Sequence, residues 1–217
     1  MKGGFSGDQV PKVIFPTLVG KPKLKTVMVG TGEKDFFVGE DAQQKRGVLA
    51  LTAPMKHGVV VDWEGMGHIY HHMFNKLKID PAEHGIMVTE APFNLESNRI
   101  KLAELLFETH KVPAFYVSIN AALSLFGSGK TSGVILDIGE GIVTSVPIIQ
   151  GRVAAQGMQR LDFGGANLTD YMLERLRTTQ GQSFHTYAER QIVQHLKEST
   201  GYASQNPTAD KAHPSTQ

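Results

Sequence analysis

The residues with the clearest chemical potential lie in the stretch Ser132-Gly-Val-Ile-Leu-Asp137-Ile-Gly139-Glu140-Gly141-Ile-Val-Thr-Ser-Val-Pro-Ile-Ile149. Asp137, Gly139 and Gly141 form an Asp-x-Gly-x-Gly turn between two β-branched runs, Val134 to Leu136 and Ile142 to Val146. The pattern predicts a strand hairpin with glycines at its tip. Glycines at alternate positions permit φ > 0 and remove side-chain bulk. Backbone N–H groups at such a tip can converge on an anion such as a phosphate. An Asp ending the first strand can hold a hydrated Mg²⁺, which keeps its waters and needs few carboxylates. The same short pattern also describes an ordinary glycine-rich turn, and by itself it does not separate the two. His68, His71 and His72 form a second cluster. Zinc needs ligands converging from one face with second-shell support, and no carboxylate set accompanies these three, so a structural role is the better reading.

The elements that must position these groups follow from periodicity. Asp62 can N-cap a helix running to about Leu77. Trp63, Met66, Ile69, Tyr70, Met73, Phe74 and Leu77 fall along one face of it. Before it come a short strand, Lys12 to Pro16, then a strand pair, Thr26–Val29 and Phe36–Val38, around the loose turn Gly30 to Asp35, and a polar segment, Glu40 to Arg46. After it, Gly85 to Pro92 reads as a buried strand stopped by proline. A helix from Glu96 to Glu108, a strand from Ala114 to Ile119 and a helix from Asn120 to Phe126 follow, the last ending at Gly127-Ser-Gly129. Beyond the hairpin, a strand from Arg152 to Gln156 pairs back across Gln150-Gly151. Gly164-Gly165 opens a helix carrying Leu168, Met172, Leu173 and Leu176, and a last helix, Thr186 to Thr200, carries Ile192, Val193 and Leu196. Strands and helices alternate, so the expected class is α/β with a mixed sheet flanked by helices. Gly201 to Gln217 has few apolar groups and no periodicity, and is expected to be a disordered tail.

Composition sets outer bounds. With 217 residues, 41% hydrophobic and 20% charged, the chain reads as globular with one or two domains. A net charge of +1 gives no reason to invoke nucleic acid, and Lys21, Lys23 and Lys25 read as a solvated loop. The chain has 0 cysteines, which excludes a disulfide framework or thiolate metal site. No apolar run approaches a membrane span, and residues 1–20 lack the regions of a signal peptide, so no membrane partner and a cytoplasmic location are expected.

From about Lys2 to Tyr202 the chain resembles the actin family. The stretches that carry the resemblance are Gly4-Phe-Ser-Gly-Asp8, Val27-Met-Val-Gly-Thr-Gly-Glu-Lys-Asp35, Gly39-Glu-Asp-Ala-Gln-Gln-Lys-Arg-Gly47 and His71-His-Met-Phe74. Thr89-Glu-Ala-Pro92, Phe107-Glu-Thr109, Leu161-Asp162 and Leu168-Thr-Asp-Tyr171 add to it. The wider superfamily of sugar kinases and Hsp70 chaperones shares the phosphate hairpin but is not expected to share Thr26 to Gly47. The resemblance implies a partial actin-like domain over residues 1–200, with a small outer subdomain inserted at about 17–55. It also implies ATP with Mg²⁺ as cofactor, a slow ATPase, and a cytoskeletal setting in the cytoplasm. Implied nucleotide contacts are Lys2, Asp137, Gly139, Glu140, Gly141, Lys197 and Glu198, with Asp137 holding the metal through water.

Departures from the family pattern shape the functional expectation. Met1 falls where the family's first phosphate loop should have just ended, and the chain stops after the helix that begins the adenine pocket. The expectation is a chain truncated at both ends, without the first loop and its preceding strand. In the family that strand lies between those near Val13 and Met87, so its absence implies two open sheet edges. Ile138 replaces a Ser, Glu140 an Asp and Gln194 an Arg, while Ala166 and Asn167 replace a charged pair. Asn120 stands where the family has a glutamine that positions the attacking water, and Thr144 where it has a histidine. Asn is one methylene shorter, which withdraws its polar tip by roughly 1.5 Å. A misplacement of about 1 Å can cost on the order of a hundredfold in rate. Three readings stay open: a truncated actin-like cytoskeletal protein with residual or absent ATP binding, an interaction module for actin or actin-binding proteins without ATPase activity, and a degenerate product. No filament is expected from this chain alone.

Overall fold

A computed structural model of the chain describes residues 1–23, 35–181, 186–206 and 208. In chain order come β1 (Lys2–Gly3), β2 (Val13–Ile14), β3 (Val19–Pro22), β4 (Phe37–Val38), α1 (Glu40–Gln44), β5 (Leu49–Thr52), β6 (Met55–Lys56), β7 (Val59–Val60) and α2 (Trp63–Leu77). Then follow β8 (Ile86–Glu90), α3 (Glu96–Glu104), β9 (Phe115–Ile119), α4 (Asn120–Gly127), β10 (Gly133–Ile138), β11 (Val143–Ile149), β12 (Arg152–Val153), β13 (Gln159–Leu161), α5 (Gly165–Gln180) and α6 (Tyr187–Thr200). The chain divides into two compact units, Met1–Asn167 and Leu168–Gln217.

In the first unit α2 is the organising helix. Asp62 caps it, its Oδ1 accepting from Gly65 N–H at 3.0 Å. The apolar face that the spacing predicts is the buried one: Met66, Ile69, Tyr70, Met73 and Phe74 join Phe15, Val19, Val38, Leu102, Leu106 and Val112 in one core. A second core forms where Ala121, Ala122 and Leu125 of α4 meet Val146 and Ile148 of β11. Burial alternates along β11, as period-2 geometry requires of a strand with one face on a helix. In the second unit, Thr186 and Glu189 form a capping box at the start of α6, and Val193 is buried.

Several elements depart from the sequence reading. The mixed α/β class with flanking helices is as expected, and its strands fall into several small sheets: β1–β2, β4–β3–β5, β6–β7, the parallel pair β8–β9, and β10–β11 with β12 and β13. The strand expected to reach Gln156 ends at Val153, because the next partner on β11 is Pro147. Ala154 N–H donates to Pro147 O at 2.9 Å, but proline has no N–H to return. A 3₁₀ turn, Ala155–Gly157, follows, and β13 rejoins β11 at Val143–Ser145, a strand that the polar residues Gln159 and Arg160 conceal. The helix expected to reach Glu108 changes at Leu105 into a π-helical turn, Leu105–Thr109, that buries Leu106. The polar segment after Gly39 is a short helix, entered through Gly39 at φ 64. The predicted strand Thr26–Val29 and most of its turn lie outside the described residues, as does most of the predicted tail.

The histidines of α2 act separately. His68 lies against the Phe36 ring at 3.7 Å between centroids, and His72 meets Phe15 edge-on at 4.9 Å. His110 meets Phe74 edge-on at 5.1 Å. Among the described residues, no group of three potential ligands is placed to hold a metal. The Nε2 atoms of His68, His72 and His110 are buried without a hydrogen-bond partner. Burial holds all three imidazoles below their ordinary value of 6.5, and at His68 it outweighs the opposing pull of Glu64. The unfolded chain therefore takes up protons near pH 6.5 that the folded chain refuses. Stability is fully present above that pH and declines as pH falls through the lowered folded values. The urea midpoint should fall steadily from about pH 7 towards about pH 5. A His110→Phe variant should show a shallower fall.

Candidate functional site

The hairpin of β10 and β11 keeps unbroken antiparallel register from Gly133↔Ile148 to Ile138↔Val143, with Asp137 opposite Thr144. At its tip, Gly139 N–H donates to Ile142 O at 3.0 Å. All three tip carbonyls are held by the protein. Gly139 O accepts from Gly165 N–H at 3.1 Å and Glu140 O from Ala166 N–H at 2.7 Å. Gly141 O lies 2.9 Å from His57 Nδ1, which donates as the Nδ1–H tautomer. The N–H groups of Glu140 and Gly141 make no hydrogen bond among the described residues. A tip fixed through its carbonyls with two amides free has the chemistry of an anion cradle.

The glycines act through size rather than through backbone sign. Neither Gly139 nor Gly141 is in the left-handed region, contrary to the sequence expectation. A Cβ at Gly141 would lie 3.1 Å from His57 Cα, and one at Gly164 would sit 2.6 Å from both Gly139 O and Glu140 O. The start of α5 can therefore approach the tip only as glycine.

Sequence reasoning missed the residues behind the tip. His57 (φ 48) and Gly58 (φ 70) link β6 to β7 in a tight turn with both central residues left-handed, which matches strand twist. The signal was present as His57-Gly58 between short apolar runs. Arg160 of β13 fastens this turn to the hairpin sheet. Its Nη2 donates to His57 O at 2.7 Å, its Nη1 to Pro92 O at 3.0 Å and its Nε to Asp162 Oδ1 at 2.8 Å. No motif announced this role, because His57 and Pro92 are distant from Arg160 in sequence.

The predicted site residues divide by location. Asp137 is exposed, and its Oδ2 accepts from Asn120 Nδ2 at 2.9 Å. Asn120 Oδ1 in turn accepts from Ala121 N–H at 2.9 Å, so both ends of its amide are engaged. Thr144 is buried at 1% exposure, and its hydroxyl has no hydrogen-bond partner. Lys2 lies on β1, and among the described residues no hydrogen bond or ion pair joins it to the hairpin. Lys197 and Glu198 belong to the second unit. There Lys197 Nζ donates to Thr169 Oγ1 at 2.9 Å, and Glu198 Oε1 accepts from Gln194 Nε2 at 3.0 Å.

The residues at the tip have a chemistry that fits a magnesium-bound phosphate: two free amides, no side-chain bulk at Gly139 and Gly141, and the exposed carboxylate of Asp137 beside them, with a second exposed carboxylate on Glu140. The fold is mixed α/β, with small sheets flanked by helices and this glycine-tipped hairpin. The family model described as Actin matches residues 1–217, and the chain belongs to the actin family. No helix among the described residues is long and apolar enough to cross a membrane.

Arg160 gives the site a direct test. Arg160→Ala would leave two enclosed carbonyls without a donor, and should destabilise the chain by about 2–4 kcal/mol in urea unfolding. Arg160→Lys should recover less than half of that loss, because one ammonium cannot reproduce a fork aimed at three acceptors.

Proposed function

We propose that this actin-family chain binds a magnesium nucleoside triphosphate weakly at the tip from Asp137 to Gly141, hydrolyses it slowly or not at all, and works by association with other proteins. The observation that carries the nucleotide reading is the tip itself, with its carbonyls held and the amides of Glu140 and Gly141 free. Those amides and the two glycines would receive phosphate oxygens. Asp137, steadied by Asn120, would hold Mg²⁺ through its water shell. Bound there, the ion would offset the charge of the phosphates. Lys2 would add positive charge on the phosphates, as the family resemblance implies.

Weak binding follows from what the tip lacks. Ile138 supplies no hydroxyl donor, and the Glu140 carboxylate repels an anion. Slow turnover follows from the water-positioning places. The Asn120 amide is engaged at both ends, and the Thr144 hydroxyl is enclosed in the core. Neither is free to orient a water for attack. Calorimetric titration with Mg-ATP should give a dissociation constant weaker than about 1 μM, and Asp137→Ala should weaken it further by about tenfold. Submicromolar affinity would refute weak binding, and an unchanged affinity in the variant would make the hairpin purely structural.

Association is favoured by a separate observation. Val134, Leu136 and Ile138 stand on one face of β10 at 66%, 64% and 69% exposure, and β10 ends its sheet. A row of apolar side chains this open is the kind of surface that partners cover. The partner we propose is full-length actin or an actin-binding protein in the cytoskeleton, also engaged through the outer segment around residues 27–47. A head-to-tail filament needs two complementary surfaces per subunit, and the exposed row on β10 is one surface. Co-sedimentation with actin should saturate at low stoichiometry and slow elongation at one filament end. Filaments assembled from this chain alone, seen by electron microscopy, would overturn the proposal.

A further inference from the structure

A cavity of about 340 Å³ lies between the start of α2 and the end of α3. Trp63 lines it from α2, and Lys101, Glu104, Leu105, Glu108 and Thr109 line it from α3 and the π-helical turn that continues α3. Trp63 is half-buried: it packs on the α2 core and also borders the cavity. The other side of α3 is anchored, because Leu102 and Leu106 belong to that core. Lys101, Glu104, Glu108 and Thr109 are exposed.

The π turn sets this arrangement. His110 N–H donates to Leu105 O at 3.2 Å, a bond that spans five residues instead of four. In an α-helix Thr109, five residues on, would stand well off the Glu104 face. The wider turn keeps both Glu108 and Thr109 on that face, around one opening. Glu104 and Glu108 make no side-chain hydrogen bond or ion pair among the described residues, and neither does Lys101, one turn earlier. Two carboxylates of like charge at this spacing repel each other. Against one ammonium, they leave the lining net negative beside an indole ring.

We propose that this cavity receives the arginine side chain of a partner protein, its guanidinium lying against the Trp63 ring and its N–H groups donating to the carboxylates of Glu104 and Glu108. Charge complementarity selects a cation. Arginine suits the lining better than lysine, because a planar guanidinium stacks on an aromatic ring and its fixed fork of donors can serve two carboxylates at once. Bonds of this kind are charge-assisted on both sides. Size favours one side chain over a whole small molecule, since about 340 Å³ is near the lower limit of small-molecule sites, roughly 300–1,000 Å³. Lys101 favours an acidic residue next to that arginine in the partner. The cavity shares no residue with the hairpin tip or with β10, so its test stands or falls separately from theirs.

Trp63 is the one tryptophan of the 217 residues, so its fluorescence reads the cavity directly. The full chain is titrated with N-acetyl-arginine amide, blocked at both ends as in a polypeptide, and with the lysine and citrulline counterparts. The arginine probe should change Trp63 emission saturably. The other two should bind at least about tenfold more weakly, citrulline because it keeps the shape without the charge. Raising salt from about 50 mM to about 500 mM should weaken the arginine probe several-fold. A double variant, Glu104→Gln with Glu108→Gln, should weaken it by at least about tenfold with the circular dichroism melt unchanged, since both side chains are exposed. The comparison of arginine with citrulline on the unaltered chain decides the matter if that variant does not fold. Non-saturating quenching that is equal for all three probes, or an unchanged titration in the folded double variant, would overturn the proposal. Equal affinity for the lysine probe would overturn the arginine assignment, and tighter binding of free arginine than of the blocked amide would overturn it in favour of a small-molecule site.

Discussion

The guanidinium of Arg160 is the interaction on which the first unit depends most. Three acceptors from three separate segments meet at one rigid fork: His57 O, Pro92 O and the Asp162 carboxylate. The Arg160 side chain is only 14% exposed, so these bonds form where an unmet donor or acceptor is expensive. Each contact fixes a different element. The first sets the β6–β7 turn, the second the exit from β8, and the third the end of β13. Because β13 pairs with β11, the position of the whole hairpin is tied through this one side chain to the turn behind its tip.

That turn completes the site. His57 reaches Gly141 O from one side, and the start of α5 reaches Gly139 O and Glu140 O from the other. Holding carbonyls is an indirect way to orient amides, since the planar peptide joins each C=O rigidly to the next N–H. The held carbonyls of Gly139 and Glu140 therefore set the free N–H groups of Glu140 and Gly141. Asp137 is managed similarly, by a hydrogen bond from Asn120 at the entrance to α4. Here the residue at the family's water-positioning place holds a carboxylate instead.

The other side of the first unit is built on a different principle. The apolar face of α2 is the seat on which the strands of this side pack. Two pairs of strands sit against it. Burial on α2 holds both pairs in place although neither could stand alone as an isolated pair. The apolar row on β10 repeats the theme, a sheet well seated on one face and open on the other.

Local signals in the sequence determined the elements whose causes are local. The cap at Asp62, the face of α2, the glycine tip and the capping box at Thr186 all depend on residues within a turn or two of one another. Period and turn chemistry are therefore enough to place them. The quoted stretches also carried the family. Tertiary structure alone decided everything that needs two distant segments to meet. Arg160 gained its role from acceptors that lie next to one another only after folding. Asn120 was drawn to Asp137 by the approach of α4 to β10, and Thr144 was enclosed because its face of β11 packs on α4. The division of the strands among several small sheets was also decided there, because strand pairing depends on which edges come together in space. Periodicity along one segment carries no record of that.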